Sequence, residues 1–126
     1  MAKDPYRYFR IEARELLASL GRGVADLEGG SATEAAVAGL LRSAHTLKGA
    51  ARVVRCPGIA EQAHAIEELL EPHRRASEAL PAPAIAQLFG LLDAIRALLA
   101  ALDSASEPGA GPAAAPTSET MKVELT

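Results

Sequence analysis

Four segments of this chain repeat apolar side chains every three to four residues, and each is bounded by glycine or proline. The first carries Phe9, Ala13, Leu16, Leu20, Val24 and Leu27; the second Leu40, Ala44, Leu47, Ala51 and Val54. The third carries Ile59, Ala63, Ile66 and Leu70; the fourth Ile85, Leu88, Leu92, Ile95, Leu99 and Leu102, supported by Leu91 and Leu98. Side chains spaced this way fall on one face of an α-helix, so each segment must bury a stripe against the others. Gly29-Gly30 closes the first segment, Cys56-Pro57-Gly58 the second, and Pro72 falls at the end of the third. The helices are therefore expected at Tyr6 to Leu27, from Glu34 to about Val54, Ile59 to His73 or Arg74, and Pro83 to Leu102. Ser31 or Thr33 is placed to cap the second, with Glu34 favouring its dipole. Gly21 and Gly23 weaken the first helix intrinsically, which points to a bend or a close helix contact there.

Short loops between four amphipathic helices give an all-α, antiparallel up-down four-helix bundle, with room for a short extra C-terminal helix. Composition agrees, since aromatics are only 3% of the 126 residues and much of the apolar content is alanine. The bundle is expected to occupy residues 1–103. Residues 104–120 are rich in Pro, Ala, Ser and Gly without apolar period and read as a flexible linker; 121–126 alternate like the start of a next domain. A terminal linker leads somewhere, so the chain reads as a piece of a larger protein. Its net charge of −3 argues against a nucleic-acid partner. Cys56 stands alone, so no internal disulfide supports the fold. No apolar run approaches the length of a membrane span and no signal peptide opens the chain, which leads to the expectation of a cytoplasmic protein without membrane insertion.

The second segment also carries the chemistry. At about 100° per residue, His45 lies about 160° from Leu47, so its imidazole faces water while its neighbours build the core. Lys48, Gly49 and Arg52 are expected on the same exposed side, with Arg42 one turn earlier. On the third helix Ala60, His64, Glu67 and Glu71 share a face away from the core stripe. Consecutive helices joined by a tight turn pack antiparallel, which brings that face beside His45. Glu67 can then accept a hydrogen bond from one ring nitrogen, fix the tautomer and leave the other lone pair free to attack. Lys48 and Arg52 offset the charge of an incoming phosphoryl group, and Gly49 removes bulk so that a partner can approach. Such a set hydrolyses nothing; it receives a phosphoryl group and hands it on.

The segment His45-Thr46-Leu47-Lys48-Gly49-Ala50-Ala51 resembles the phosphoacceptor motif of histidine phosphotransfer (HPt) domains. Phe9-Arg10-Ile11-Glu12-Ala13-Arg14-Glu15-Leu16-Leu17 and His64-Ala65-Ile66-Glu67-Glu68-Leu69-Leu70 are similar to the first and third helices of the CheA type, the N-terminal domain of chemotaxis-family histidine kinases. The resemblance covers Tyr6 to Leu102, with the three motifs in order. It implies that His45 is phosphorylated by the kinase's own ATP-binding domain, in cis or in trans. The phosphate then passes to an aspartate on a CheY- or CheB-like receiver domain of a response regulator. It also implies that Lys48, His64 and Glu67 form the network supporting His45, and that Gly49, Arg42 and Arg52 meet the partner. No cofactor or metal is expected on the domain itself; ATP and Mg belong to the kinase and receiver partners. The chain has no ATP-binding motif, so it reads as a fragment of a kinase and not as an enzyme complete in itself. The turn Arg52 to Gly58 departs from the family's hydrophobic-Gly-aromatic pattern.

Other readings stand beside this one. The module could serve a non-chemotaxis hybrid kinase or phosphorelay. A metal-binding bundle would use His45, His64 and Glu67 with Glu68 or His73, but bundle metal sites face inward and need more carboxylates on facing helices. A purely structural or dimerising bundle would make use of the nearly uncharged fourth helix.

Overall fold

The computed structural model describes residues 6–30, 34–75 and 80–106. They form four α-helices: α1 (Arg7–Glu28), α2 (Glu34–Val53), α3 (Pro57–Leu70) and α4 (Ala82–Ser106), with one 3₁₀ turn at Glu71–His73 between the last two. Among the described residues there is no strand. Each helix packs along its neighbours in the ring α1–α2–α3–α4–α1, with α2 against α3 the most extensive pair. This is the expected up-down bundle, and it puts α2 diagonally across from α4. Ser31, Thr33, the linker from residue 107 and any extra C-terminal helix lie outside the described residues.

The core follows the helical stripes, with corrections at their edges. In α1 Leu17, not Leu16, is buried beside Ala13 and Leu20; Leu16 is half-buried. In α2 the stripe begins at Val37 and includes Leu41, while Val54 is only half-buried because the helix has ended at Val53. Ala60, expected on the polar face of α3, is buried, since it lies only about 60° round the helix from Ala63, at the edge of the core stripe. In α4 Leu98 is 37% exposed and Leu102 half-buried, since both lie on the edge of a stripe centred on Leu88, Leu92, Ile95 and Leu99. The helix also runs through Ser104, Ala105 and Ser106, three residues expected in the linker. By length and composition Ala82–Asp103 could cross a membrane, with mean hydropathy 1.8. Its deepest stripe, Leu88, Leu92, Ile95 and Leu99, instead forms the inner wall of the bundle; 28% of the span is buried.

Backbone chemistry explains the joints. A Cβ on Gly23 would run into the Leu40 side chain, so the close contact between α1 and α2 is what the glycine permits. At the end of α2, Cys56 N–H donates to Ala51 C=O (2.8 Å) and Arg55 N–H to Arg52 C=O (3.1 Å). These two bonds form a Schellman cap, and Arg55 occupies its left-handed position at φ 61°. Glycine is the residue that adopts this conformation without strain; arginine here pays about 1 kcal/mol for its Cβ. Pro57 then opens α3 at a position where its missing N–H costs nothing. Pro72 cannot donate to the carbonyl one turn back, so α3 tightens into the 3₁₀ turn and stops. At the other end of the molecule Arg10 Nε lies 2.9 Å from Asp103 Oδ1 and Arg14 bonds to Oδ2, tying the start of α1 to the end of α4.

Candidate functional site

The tight Schellman–proline joint returns α3 antiparallel along α2, and this places Glu67 opposite His45, 22 residues apart in sequence. His45 Nδ1 lies 3.1 Å from Glu67 Oε2. The ring is 72% exposed, while the Glu67 side chain is only 18% exposed. Lys48, one turn along α2, reaches across to set its Nζ 2.6 Å from Glu67 Oε1. That oxygen is closed off from water and has no aligned hydrogen bond, so the lysine contact is an ion pair held more by charge than by direction. Lys48 was expected on the open face; its side chain is instead 13% exposed, folded into the α2–α3 seam by this attraction.

The charge state of Glu67 decides what His45 can do. Burial pushes its carboxyl pKa up, but the Lys48 ammonium and the His45 hydrogen bond together outweigh burial and hold it below the usual carboxylate range. An ionised carboxylate can only accept. Nδ1 must therefore carry the hydrogen and donate it to Oε2, which assigns the neutral ring its Nδ1–H tautomer and leaves the lone pair on Nε2. His64 sits beside this arrangement more loosely. Its Nδ1 is 3.7 Å from Glu67 Oε1 and its Nε2 is 3.3 Å from Glu68 Oε2, with the ring half exposed. Those distances make it an electrostatic neighbour of Glu67 and not a strong hydrogen-bond partner.

The residues expected to meet a partner are arranged around the ring. Gly49 is exposed, and a Cβ there would touch nothing within 4 Å, so no contact inside the bundle requires glycine at that position. Arg42 and Arg52 are exposed and form no ion pair with any described residue. His73 and Cys56 stand apart from the site: His73 lies in the 3₁₀ turn, and the buried Cys56 closes the α2 cap, where burial pushes its thiol pKa up. No group of His, Cys, Asp and Glu that could hold a metal ion occurs among the described residues.

Two features of this surface were not legible from the sequence. Val53 ends α2 with 82% of its area exposed. A shallow groove of about 330 Å³ lies between Arg52, Pro57, Ala60, Glu61 and His64, where the end of α2 meets the start of α3. Its only sequence signal was Ala60, a small residue on an otherwise polar face. A larger hollow of about 450 Å³ between Arg14, Ala18, Arg96 and Ala100 belongs to the α1–α4 seam and does not include the histidine.

Residues 6–105 match the Hpt domain family. The chain is 30% identical over 96 residues to the "Chemotaxis protein CheA" of Halobacterium salinarum; the match covers 76% of this chain and 14% of that relative. The chain thus spans a small fraction of the length of the relative it matches. No solved structure matches it.

Proposed function

Because the chain belongs to the Hpt domain family, of the CheA type, we propose that His45 is its phosphoacceptor, loaded by a kinase ATP-binding domain and discharged to an aspartate of a response regulator. Hpt domains of this kind work with kinase and response-regulator partners in general. The observation that carries the specific reading is the bond from His45 Nδ1–H to an ionised, lysine-paired Glu67, which aims an unprotonated Nε2 outward from a rigid helix.

The chemistry balances without a catalytic group on this chain. In loading, the Nε2 lone pair attacks the γ-phosphorus of ATP held by the kinase; the bond from phosphorus to the bridging oxygen breaks and ADP leaves. The ring keeps its Nδ1 hydrogen and becomes cationic, and Glu67 stabilises that charge across the existing hydrogen bond. In discharge, a carboxylate oxygen of the regulator attacks phosphorus, the P–N bond breaks, and its electron pair returns to Nε2. An acyl phosphate forms and the imidazole is restored. Lys48 keeps Glu67 ionised and in position. Arg42 and Arg52 supply positive charge to the approaching phosphoryl group or acidic partner, and Gly49 leaves room for that partner's surface. ATP and Mg stay with the partners. This reading places the protein in the cytoplasm, where the kinase finds its nucleotide.

The test is direct. With a cognate kinase domain and ATP, the chain should acquire an acid-labile, base-stable phosphoryl group that a receiver domain removes. His45→Gln should abolish it while leaving the bundle folded by circular dichroism. Label that persists in His45→Gln overturns the assignment.

A further inference from the structure

The fold has no use for the side chain at position 53. Val54, its neighbour, packs against the core, whereas Val53 points away with 82% of its area in water. Valine is a weaker helix former than most residues, so local propensity does not ask for it either. Of the other large apolar side chains exposed among the described residues, Tyr8 and Ile11 lie at the start of α1 and Leu98 lies on α4 beside Gly58. Val53 alone shares the outward face of His45: Gly49 and Val53 follow it at about 40° and 80° round the helix, and Val53 is only about 12 Å along the axis. That separation falls well inside the footprint of one protein partner. Arg52, exposed and without an ion pair to any described residue, stands between Val53 and the groove over Pro57 and Ala60. A groove of about 350 Å³ also lies toward the start of α2, between Arg22, Gly39, Arg42 and Ser43, but among the described residues no large apolar side chain is exposed there.

We infer that the response-regulator domain that takes phosphate from His45 docks over the C-terminal half of α2, with Val53 as its apolar anchor, through a surface whose apolar spot is ringed by carboxylates. The inference rests on the phosphotransfer reading and deepens it. The acids are expected because the receiving aspartate and its neighbours must face Arg52, and the apolar spot because Val53 offers nothing to a polar surface. The groove beside Arg52 takes one protruding side chain of the same partner.

The experiment loads His45 with potassium phosphoramidate, whose P–N bond breaks to release ammonia, so that no kinase enters the first arm. Transfer to the cognate receiver domain is then followed against receiver concentration. Val53→Thr keeps shape and charge and removes the apolar contact; it should raise the half-saturating concentration about fivefold, and Val53→Asp about tenfold or more, with the rate at saturation little changed. Val53→Leu should restore wild-type saturation, a rescue that a change in helix stability alone would not give. Unchanged half-saturation in both polar variants overturns the inference and leaves the phosphotransfer reading intact. A defect confined to loading by the kinase domain, in a second arm with ATP, assigns Val53 to the kinase and equally overturns it. Absence of label on wild-type His45 sinks the phosphotransfer reading itself, and the inference with it.

Discussion

Replacing Glu67 by glutamine keeps the shape of the side chain and an acceptor for Nδ1–H, and removes only the negative charge. Two effects follow from the geometry. The first is on rate. A unit charge about 4 Å from a ring that becomes cationic is worth about 4 kcal/mol at an effective dielectric of 20, but His45 is 72% exposed and water screens much of that. A hydrogen bond to a charged group contributes about 1.5–3 kcal/mol net, and glutamine retains part of it. Only the share that grows as the ring becomes charged affects the barrier. A loss of about 1.4 kcal/mol, or tenfold in the rate of phosphorylation, is therefore expected. The second effect is on stability. Lys48, with its side chain 13% exposed, loses its charged partner at 2.6 Å, which should cost about 1 kcal/mol and no more, since its ammonium can turn toward solvent. Initial rates of phosphoryl uptake from a kinase domain and ATP, with urea melts of the same samples, separate the two effects. A Glu67→Gln protein that is folded and takes up phosphate at the wild-type rate would remove Glu67 from the mechanism.

The depressed pKa of Glu67 adds a pH dependence. A carboxylate whose folded pKa lies below its unfolded value of 4.5 stabilises the fold above that value, and the contribution is lost as pH falls through the folded pKa. Wild-type protein should thus lose more stability than Glu67→Gln when urea melts are repeated from pH 5 down to pH 3; equal losses would contradict the ionised Glu67. Gly49→Ala should stabilise the bundle by about 1 kcal/mol, because its Cβ meets open space and alanine is the better helix former. Gly49→Trp should keep the fold and slow transfer to the regulator, which stopped-flow transfer kinetics would read. Arg55→Gly should raise stability by about 1 kcal/mol by relieving the left-handed φ of 61°, and an unchanged melt would show that the cap carries no strain. Asp103→Asn weakens the ties to Arg10 and Arg14 and should destabilise the protein by about 1 kcal/mol, with amide exchange rising at the last turn of α4.

Much of this protein could be read from its residues in order. Helical period, alanine content and the Gly and Pro boundaries specify four helices, because a stripe every three to four residues can be buried only in that form. The exposure of His45 followed from the same wheel, since its neighbours Ala44 and Leu47 must face inward. The pairing of Glu67 with His45 was legible too, because a short turn leaves α3 no course but back along α2. Errors came where a residue lies at the edge of a stripe. Leu16 and Leu17, or Leu98 and Leu99, are equally apolar, and only the crossing of neighbouring helices decides which goes inside.

Lys48 shows the division most clearly. On an isolated helix its position is open to water, and it is the resemblance to HPt domains that implies a place for it in the network around His45. In the bundle the carboxylate of Glu67 comes within 2.6 Å and draws it into the seam, and Lys48 thereby holds Glu67 ionised. The groove beside Arg52 and the isolation of Val53 likewise arise from how the ends of α2 and α3 meet. The sequence determines which faces are apolar and which residues can do chemistry, since both follow from local period and residue type. Distances between helices, and with them the tautomer of His45 and the charge of Glu67, depend on packing between residues far apart in the chain, which only the tertiary structure decides.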